Sequence, residues 1–243
     1  MSTPSSLKPI SSSGLSKQKA DFTSEGAPPP GMVSGLEPAH QDAQAGTSPG
    51  ISSNQRSIQV AVLVGSLRRD SYNLKVAKAI EKIAPAEFLF MYANIADLPL
   101  YNQDYDDKNA ESVVRFKAMI ASAQALLFVT PEYNRSVPGV LKNAIDHGSR
   151  PYGQSVWAGK PAGIIGVSVG AIGTAMAQQH LRNILAYLDV PTLGQPEAFM
   201  HAREGFLDEH GDFGKPSSKF MANWVAQYSA WVTSHLAMLS IAK

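Results

Sequence analysis

The sequence predicts an α/β fold, a doubly wound parallel sheet with helices on both faces. Three observations predict it. Leu126, Leu127, Phe128 and Val129 form an apolar run without polar alternation, as a parallel strand covered by helices on both sides requires. Strand-like runs alternate along the chain with amphipathic stretches of helical length, the order that right-handed crossovers turn into one parallel sheet. The strand-like runs also stop at polar loops bounded by glycine or proline and restart as helices, which is where open parallel sheets bind ligands.

Residues 1–56 are rich in Ser, Pro, Gly and Gln, with Phe22 the only aromatic residue. Such a segment buries too little apolar surface to offset its ordering entropy, so a disordered tail is expected. Its first twenty residues hold Lys8, Lys17 and Lys19 and no acid, a trait of organelle transit peptides, but they lack the arginine such peptides carry. From residue 57 onward a single domain is expected. Ile58–Val64 (IQVAVLV) reads as strand one, Tyr72–Ile83 as its helix and residues 87–92 as strand two. A loop through Asp97-Leu98-Pro99-Leu100-Tyr101 leads to a helix over 110–123 and then to strand three over 126–129. Pro138 opens the next helix at a position where its missing N–H costs nothing, and Val140, Leu141, Ala144 and Ile145 form that helix's apolar stripe. Ala162–Ser168 makes strand four, 172–188 a long helix, 197–200 strand five, and 220–239 a closing helix. Trp224, Tyr228 and Trp231 lie on that last helix at helical spacing, as core or subunit-interface residues do. With five strands, the flavodoxin-like order 2-1-3-4-5 is the expected topology.

Composition narrows the chemistry. A chain of 243 residues with a formal net charge of +1 gives no electrostatic reason for nucleic acid or an anionic membrane as partner. The absence of cysteine removes disulfides, thiolate metal sites and cysteine nucleophiles. No apolar run approaches the roughly 18 residues needed to span a bilayer, and no secretory leader is visible, so a soluble cytoplasmic protein is expected. The six histidines show no metal-ligand spacing, and no metal is assigned; His147 and His180 have no partner four residues away.

Three loops carry the functional signal. Strand one ends in Gly65-Ser66-Leu67-Arg68-Arg69-Asp70-Ser71-Tyr72-Asn73, and a helix follows at once. Glycine permits the turn, Ser66, Ser71 and the Asn73 amide can donate, and free N–H groups at the helix start favour an anion. Arg68 adds a charge-assisted donor; Arg69 is a second candidate, but only one of two neighbours points inward. The loop reads as a phosphate cradle. It lacks the Gly-Lys-Ser/Thr ending of a P-loop and the GxGxxG of a dinucleotide fold. Between Pro131 and Pro138, the second loop offers Glu132, Tyr133, Asn134, Arg135 and Ser136. The third, Gly166-Val167-Ser168-Val169-Gly170-Ala171-Ile172-Gly173, matches the GxSxG elbow of serine hydrolases, and Asp189 with His201 or His210 supplies the chain order of a triad. Against a hydrolase, the first two loops have no task in acyl transfer and no HGGG-type oxyanion segment exists, while Gly173 leaves a second glycine for a planar ring to approach. A monophosphate site beside a slot lined by glycine, tyrosine and asparagine suits FMN.

The motifs GSLRxxSxN, PEYNxSxPGxLKNAID, the AGKPA run at 158–162 and SxGAIGT at 168–174 together resemble the NAD(P)H-dependent FMN reductases, a group that includes quinone and chromate reductases and azoreductases. The resemblance implies a flavodoxin-like fold, non-covalent FMN, NADPH or NADH as co-substrate, and a homodimer or homotetramer with the flavin near a subunit boundary. It implies phosphate contacts from Ser66, Arg68, Ser71 and Asn73, and ring contacts from Pro131, Glu132, Tyr133, Asn134, Ser168, Val169 and Gly170. Three positions depart from the family pattern: Arg135 replaces a small residue, His147 a tryptophan and Val169 a proline. They bear on acceptor preference and on the subunit contact.

The expected reaction is a ping-pong cycle, with NADPH reducing FMN at N5 and a quinone or similar small-molecule acceptor, such as chromate, an azo compound or free flavin, taking the electrons. Hydride chemistry belongs to the flavin, so no side-chain acid or base is required. Arg135 is a candidate for the nicotinamide nucleotide's phosphate or a plain surface arginine, and the Glu132 carboxylate is expected to be solvated, with its backbone contributing. The rival from another class is a flavodoxin-type electron carrier, against which the balanced charge argues.

Overall fold

The computed structural model describes residues 57–241. Strands β1 (Ile58–Val64), β2 (Phe88–Tyr92), β3 (Ala125–Val129), β4 (Ala162–Ser168) and β5 (Ala198–His201) pair in parallel in the order β2-β1-β3-β4-β5, the flavodoxin-like arrangement that was expected. The connecting helices are α1 (Tyr72–Ile83), α2 (Glu111–Ser122), α3 (Gly139–Ser149), α4 (Ala175–Tyr187) and α5 (Lys215–Ile241). The tail over 1–56 and its transit-peptide-like composition lie outside the described residues. Among the described residues no helix is long and apolar enough to cross a membrane.

The period of two along each strand sorts side chains into two cores. Val60 and Val62 of β1, Leu127 and Val129 of β3 and Ile165 and Val167 of β4 face α1 and α5, where Val76, Ile80, Met221 and Trp224 meet them. Ala61 and Leu63, Leu126 and Phe128, and Ala162 and Ile164 face the other way, onto Phe116 and Ile120 of α2, Leu141 and Ile145 of α3 and Leu181 and Leu185 of α4. Both faces are covered, which is why these strands read as continuous apolar runs.

Helix α5 lies close against β4. Trp224 and Tyr228, both buried, stack at 5.5 Å with an interplanar angle of 12°, and the Tyr228 hydroxyl donates to the Leu126 carbonyl at 3.0 Å. Burial pushes this phenol above its ordinary range, so it stays a neutral donor. A methyl at Gly163 would come within 2.7 Å of the Tyr228 ring, so the approach depends on a bare backbone there. The closing aromatics Trp224 and Tyr228 are thus core residues, as their spacing suggested.

Two helix starts differ from expectation. Helix α4 begins at Ala175 rather than at 172, because Gly173 takes a left-handed φ of 66° and its N–H closes a turn onto the Gly170 carbonyl at 3.0 Å. Helix α5 begins at Lys215, five residues before the expected start. Pro216 is tolerated in a first turn, and Ser217 Oγ anchors that turn by donating to the Phe206 carbonyl at 2.9 Å.

Two substitutions test this packing. Gly163→Ala should destabilise the protein by about 1–3 kcal/mol through overpacking, read as a lower urea midpoint; an unchanged midpoint would mean α5 does not lie on β4 as described. Tyr228→Phe should cost about 0.5–1.5 kcal/mol for the lost bond to Leu126, with circular dichroism reporting the melt.

Candidate functional site

Helix α1 packs on one face of the sheet and α3 on the other, so the loops leaving β1 and β3 diverge at their carboxyl ends. That is the topological switch point, and the crevice it opens is the expected ligand site of such a sheet. A cleft of about 150 Å³ lies there. Its first wall is Ser66, Arg68, Ser71, Tyr72 and Asn73, its second Pro131, Glu132 and Tyr133, and its third Val167, Ser168 and Val169. Roomier hollows of about 420 and about 620 Å³ flank β5 and the 202–211 segment; the second shares only Tyr72 with the cleft, and neither is lined by the loops after β3 and β4.

The first wall is a set of donors. Among the described residues, no backbone N–H from Ser66 to Asn73 finds a protein acceptor, while the Gly65 N–H just before them still pairs with the Val129 carbonyl at 3.0 Å. Ser71 caps α1, its Oγ accepting from the Leu74 N–H at 3.3 Å, which leaves its own O–H to donate. Arg68 is exposed and forms no ion pair among the described residues. Orphan N–H groups, a helix N-terminus and a free guanidinium are the complement of a phosphate. Arg69 does not line the cleft, so Arg68 is the inward neighbour.

Asn73 lines the cleft as expected and also makes a structural tie. Its side-chain nitrogen donates to the Val167 carbonyl and its oxygen accepts from the Val167 N–H, both at 3.0 Å, in a buried setting. The oxygen and one of the two amide N–H groups tie α1 to β4, and the second N–H remains for a ligand. Gly65 brings the first two walls together: a Cβ there would lie 3.1 Å from Pro131 Cδ and 3.2 Å from Thr130 Oγ1.

In the second wall, Tyr133 and Ser136 exchange backbone hydrogen bonds at 3.1 and 3.0 Å, closing a two-residue turn. Asn134 and Arg135 occupy it with φ of 50° and 66°, the doubly left-handed conformation that favours Asn followed by Gly. Both side chains sit at the exposed tip, outside the enclosed cleft, as does Gly170. The Glu132 carboxylate, partly exposed, has a task beyond the solvated one expected: Oε2 accepts from the Met176 and Ala177 N–H groups at 3.0 and 3.1 Å. Tyr72 and Val167 line the cleft without having been singled out; the position of Tyr72 directly after the N-cap was the available signal.

The hydrolase reading fails on the geometry of Ser168. Its hydroxyl lies 2.6 Å from the Gly173 carbonyl, to which it donates, and 3.1 Å from that of Gly170. His201 Nε2 donates to the Val169 carbonyl instead of reaching Ser168, and Asp189 pairs by its carbonyl with Gly159, at the opposite end of β4. Gly173 does not offer its backbone to a ring either. A Cβ there would meet the β5 backbone at 2.8 Å from the Phe199 carbonyl carbon, so the glycine serves close packing. His147 is buried, its Nε2 donating to the Pro99 carbonyl at 2.8 Å and its ring edge-on to Tyr101, which makes it a support for the 97–101 loop. Among the described residues no group of three His, Asp or Glu side chains is spaced to hold a metal ion.

The NADPH-dependent FMN reductase family matches residues 58–204. The chain is 52% identical over 177 residues to a 2-hydroxy-1,4-benzoquinone reductase from a Burkholderia species, covering 72% of this chain and 97% of that protein. It is 46% identical over 180 residues to a quinone reductase of Pseudomonas putida, covering 74% and 97%. Among solved structures it resembles the flavoenzyme NAD(P)H:(acceptor) oxidoreductase FerB of Paracoccus denitrificans, with a TM-score of 0.71 and 42% identity over 73% of this chain and 98% of that one. The family match over residues 58–204, with relatives 52% and 46% identical across nearly their whole length, places the chain in the NADPH-dependent FMN reductase family.

Proposed function

We propose that the protein is an NAD(P)H-dependent FMN oxidoreductase whose acceptor is a quinone. The observation that carries this reading is the first wall of the cleft, where orphan N–H groups, the Ser71 hydroxyl and Arg68 gather at the switch point. FMN held there would supply the two-electron chemistry between NADPH or NADH and the acceptor. The quinone-reductase relatives support the choice of acceptor.

The chain's own residues bind and orient. Ser66, Arg68 and Ser71 hold the phosphate by charge-assisted and backbone-type hydrogen bonds. Asn73 keeps that cradle at a set distance from β4. Pro131, Tyr133 and Val169 form the walls of the ring slot, with Asn134 and Gly170 at its outer edges. No side chain is asked to move a proton, since Glu132 and Ser168 are both committed to backbone partners.

The slot is open on one side, where Tyr133 and Val169 are 46% and 71% exposed. Such an opening admits nicotinamide and quinone in turn, and it leaves apolar surface for a second copy of the chain to cover in a homodimer or homotetramer. Arg135 stands at the rim of this opening. Holding arginine in a left-handed conformation costs about 1–2 kcal/mol, a strain that a role in gripping an anionic nucleotide accounts for.

Purified protein supplied with FMN should oxidise NADPH in the presence of a benzoquinone, with the parallel-line kinetics of a ping-pong cycle; no turnover with either NADPH or NADH would refute the enzyme reading. Arg68→Ala should weaken FMN binding by about 1.5–3 kcal/mol while leaving kcat at saturating FMN nearly unchanged, as an equilibrium titration and a rate assay would register. Arg135→Gly should hold stability level or raise it by up to about 1 kcal/mol and should increase the KM for the nicotinamide nucleotide. An unaltered KM would make Arg135 a surface residue.

A further inference from the structure

The N-terminus of α4 is capped from elsewhere in the chain. Thr174, at the cap position, makes no side-chain cap hydrogen bond. The N–H groups of Met176 and Ala177, second and third in the helix, are the ones a cap side chain normally satisfies. Both are taken by Glu132 Oε2, 44 and 45 residues away, from the loop after β3. A second tie joins the same two elements: Ser136 Oγ lies 2.9 Å from His180 Nδ1, one turn further along α4. The tight turn of Asn134 and Arg135 is therefore anchored to α4 on both sides.

This matters because the two tied elements carry opposite walls of the slot. Glu132 directly precedes Tyr133, and α4 directly follows the 168–173 turn that holds Ser168 and Val169. That turn is itself closed by Ser168 Oγ donating to the Gly173 carbonyl, which links the helix start to the turn that carries Val169. A carboxylate at a helix N-terminus also offsets the positive end of the helix dipole, which strengthens the tie.

We propose that Glu132 is a positioning residue: its carboxylate, by accepting from Met176 and Ala177, sets the width of the slot between Tyr133 and Val169. It acts through the two loops and carries no proton. The inference rests on the FMN reading above and assigns the side chain of Glu132 a function distinct from that of its backbone. Without the tie, the walls must be ordered by the ligand, and the ordering cost is subtracted from affinity.

The test is a titration of apoprotein with FMN, following quenching of flavin fluorescence, with circular dichroism melts confirming that each variant is folded. Glu132→Ala should raise the Kd for FMN about tenfold or more, whereas Glu132→Gln, which keeps an acceptor oxygen at the same reach, should stay within about threefold of the unsubstituted protein. If the alanine variant does not fold, Glu132→Met fills the same space without an acceptor and replaces it in the comparison. A merely structural role would lower the melting temperature of the alanine variant and leave Kd unchanged in both. An alanine or methionine variant that binds FMN as tightly as the unsubstituted protein overturns the inference, as does a glutamine variant no better than alanine. Unsubstituted protein that binds no FMN would overturn the cofactor reading itself.

Discussion

The site depends on one paired interaction, the amide of Asn73 with the backbone of Val167. Strand β3 ends at Val129, opposite Ile165, and the Thr130 N–H makes the last ladder bond to the Ile165 carbonyl at 2.9 Å. Two residues further along β4, the N–H and C=O of Val167 point to the same side with no strand beside them. Asn73 fills that place, donating to one group and accepting from the other, as a neighbouring strand would. A buried peptide unit left without partners would cost several kcal/mol. The start of α1 is thereby fixed to the end of β4 across the switch point, and the first wall of the cleft gains a defined position relative to the third.

From that tie the rest of the site follows. The first and second walls meet where Gly65 lets Pro131 and Thr130 come close, and the second and third are joined through α4. Polar side chains around the cleft are used mainly to hold backbone in place, not to perform chemistry. This is the expected arrangement when a cofactor carries the reaction and the protein contributes binding and orientation. It also explains why the GxSxG pentapeptide misleads: a serine that closes its own turn has no hydroxyl proton left to give to a histidine.

Much of this could be read from the chain. The strands Ile58–Val64 and Ala162–Ser168 and the helix Tyr72–Ile83 coincide with their expected bounds, because burial on both faces and an N-cap serine leave strong local signals. Most residues lining the cleft were legible because they sit at strand ends, whereas Tyr72 and Val167 were not singled out and the expected Asn134 and Gly170 lie outside it. What the sequence could not reveal is which groups their side chains hold. The partners of Asn73 and Glu132 lie 94 and about 44 residues away, and such pairings leave no periodic or local trace. The left-handed Gly173 likewise looked like an opening for a ring, since only the fold brings the β5 backbone beneath it.

The central claim is that the first wall recognises a phosphate ester, and comparing FMN with riboflavin tests it most directly, since the two differ only in that group. Titrated into apoprotein under the same low-salt conditions, FMN should bind at least about tenfold more tightly than riboflavin, the equivalent of one good charge-assisted hydrogen bond or more. Equal affinity for the two would contradict the account, because the orphan N–H groups of Ser66 to Asn73 and the guanidinium of Arg68 would then have no ligand to hold.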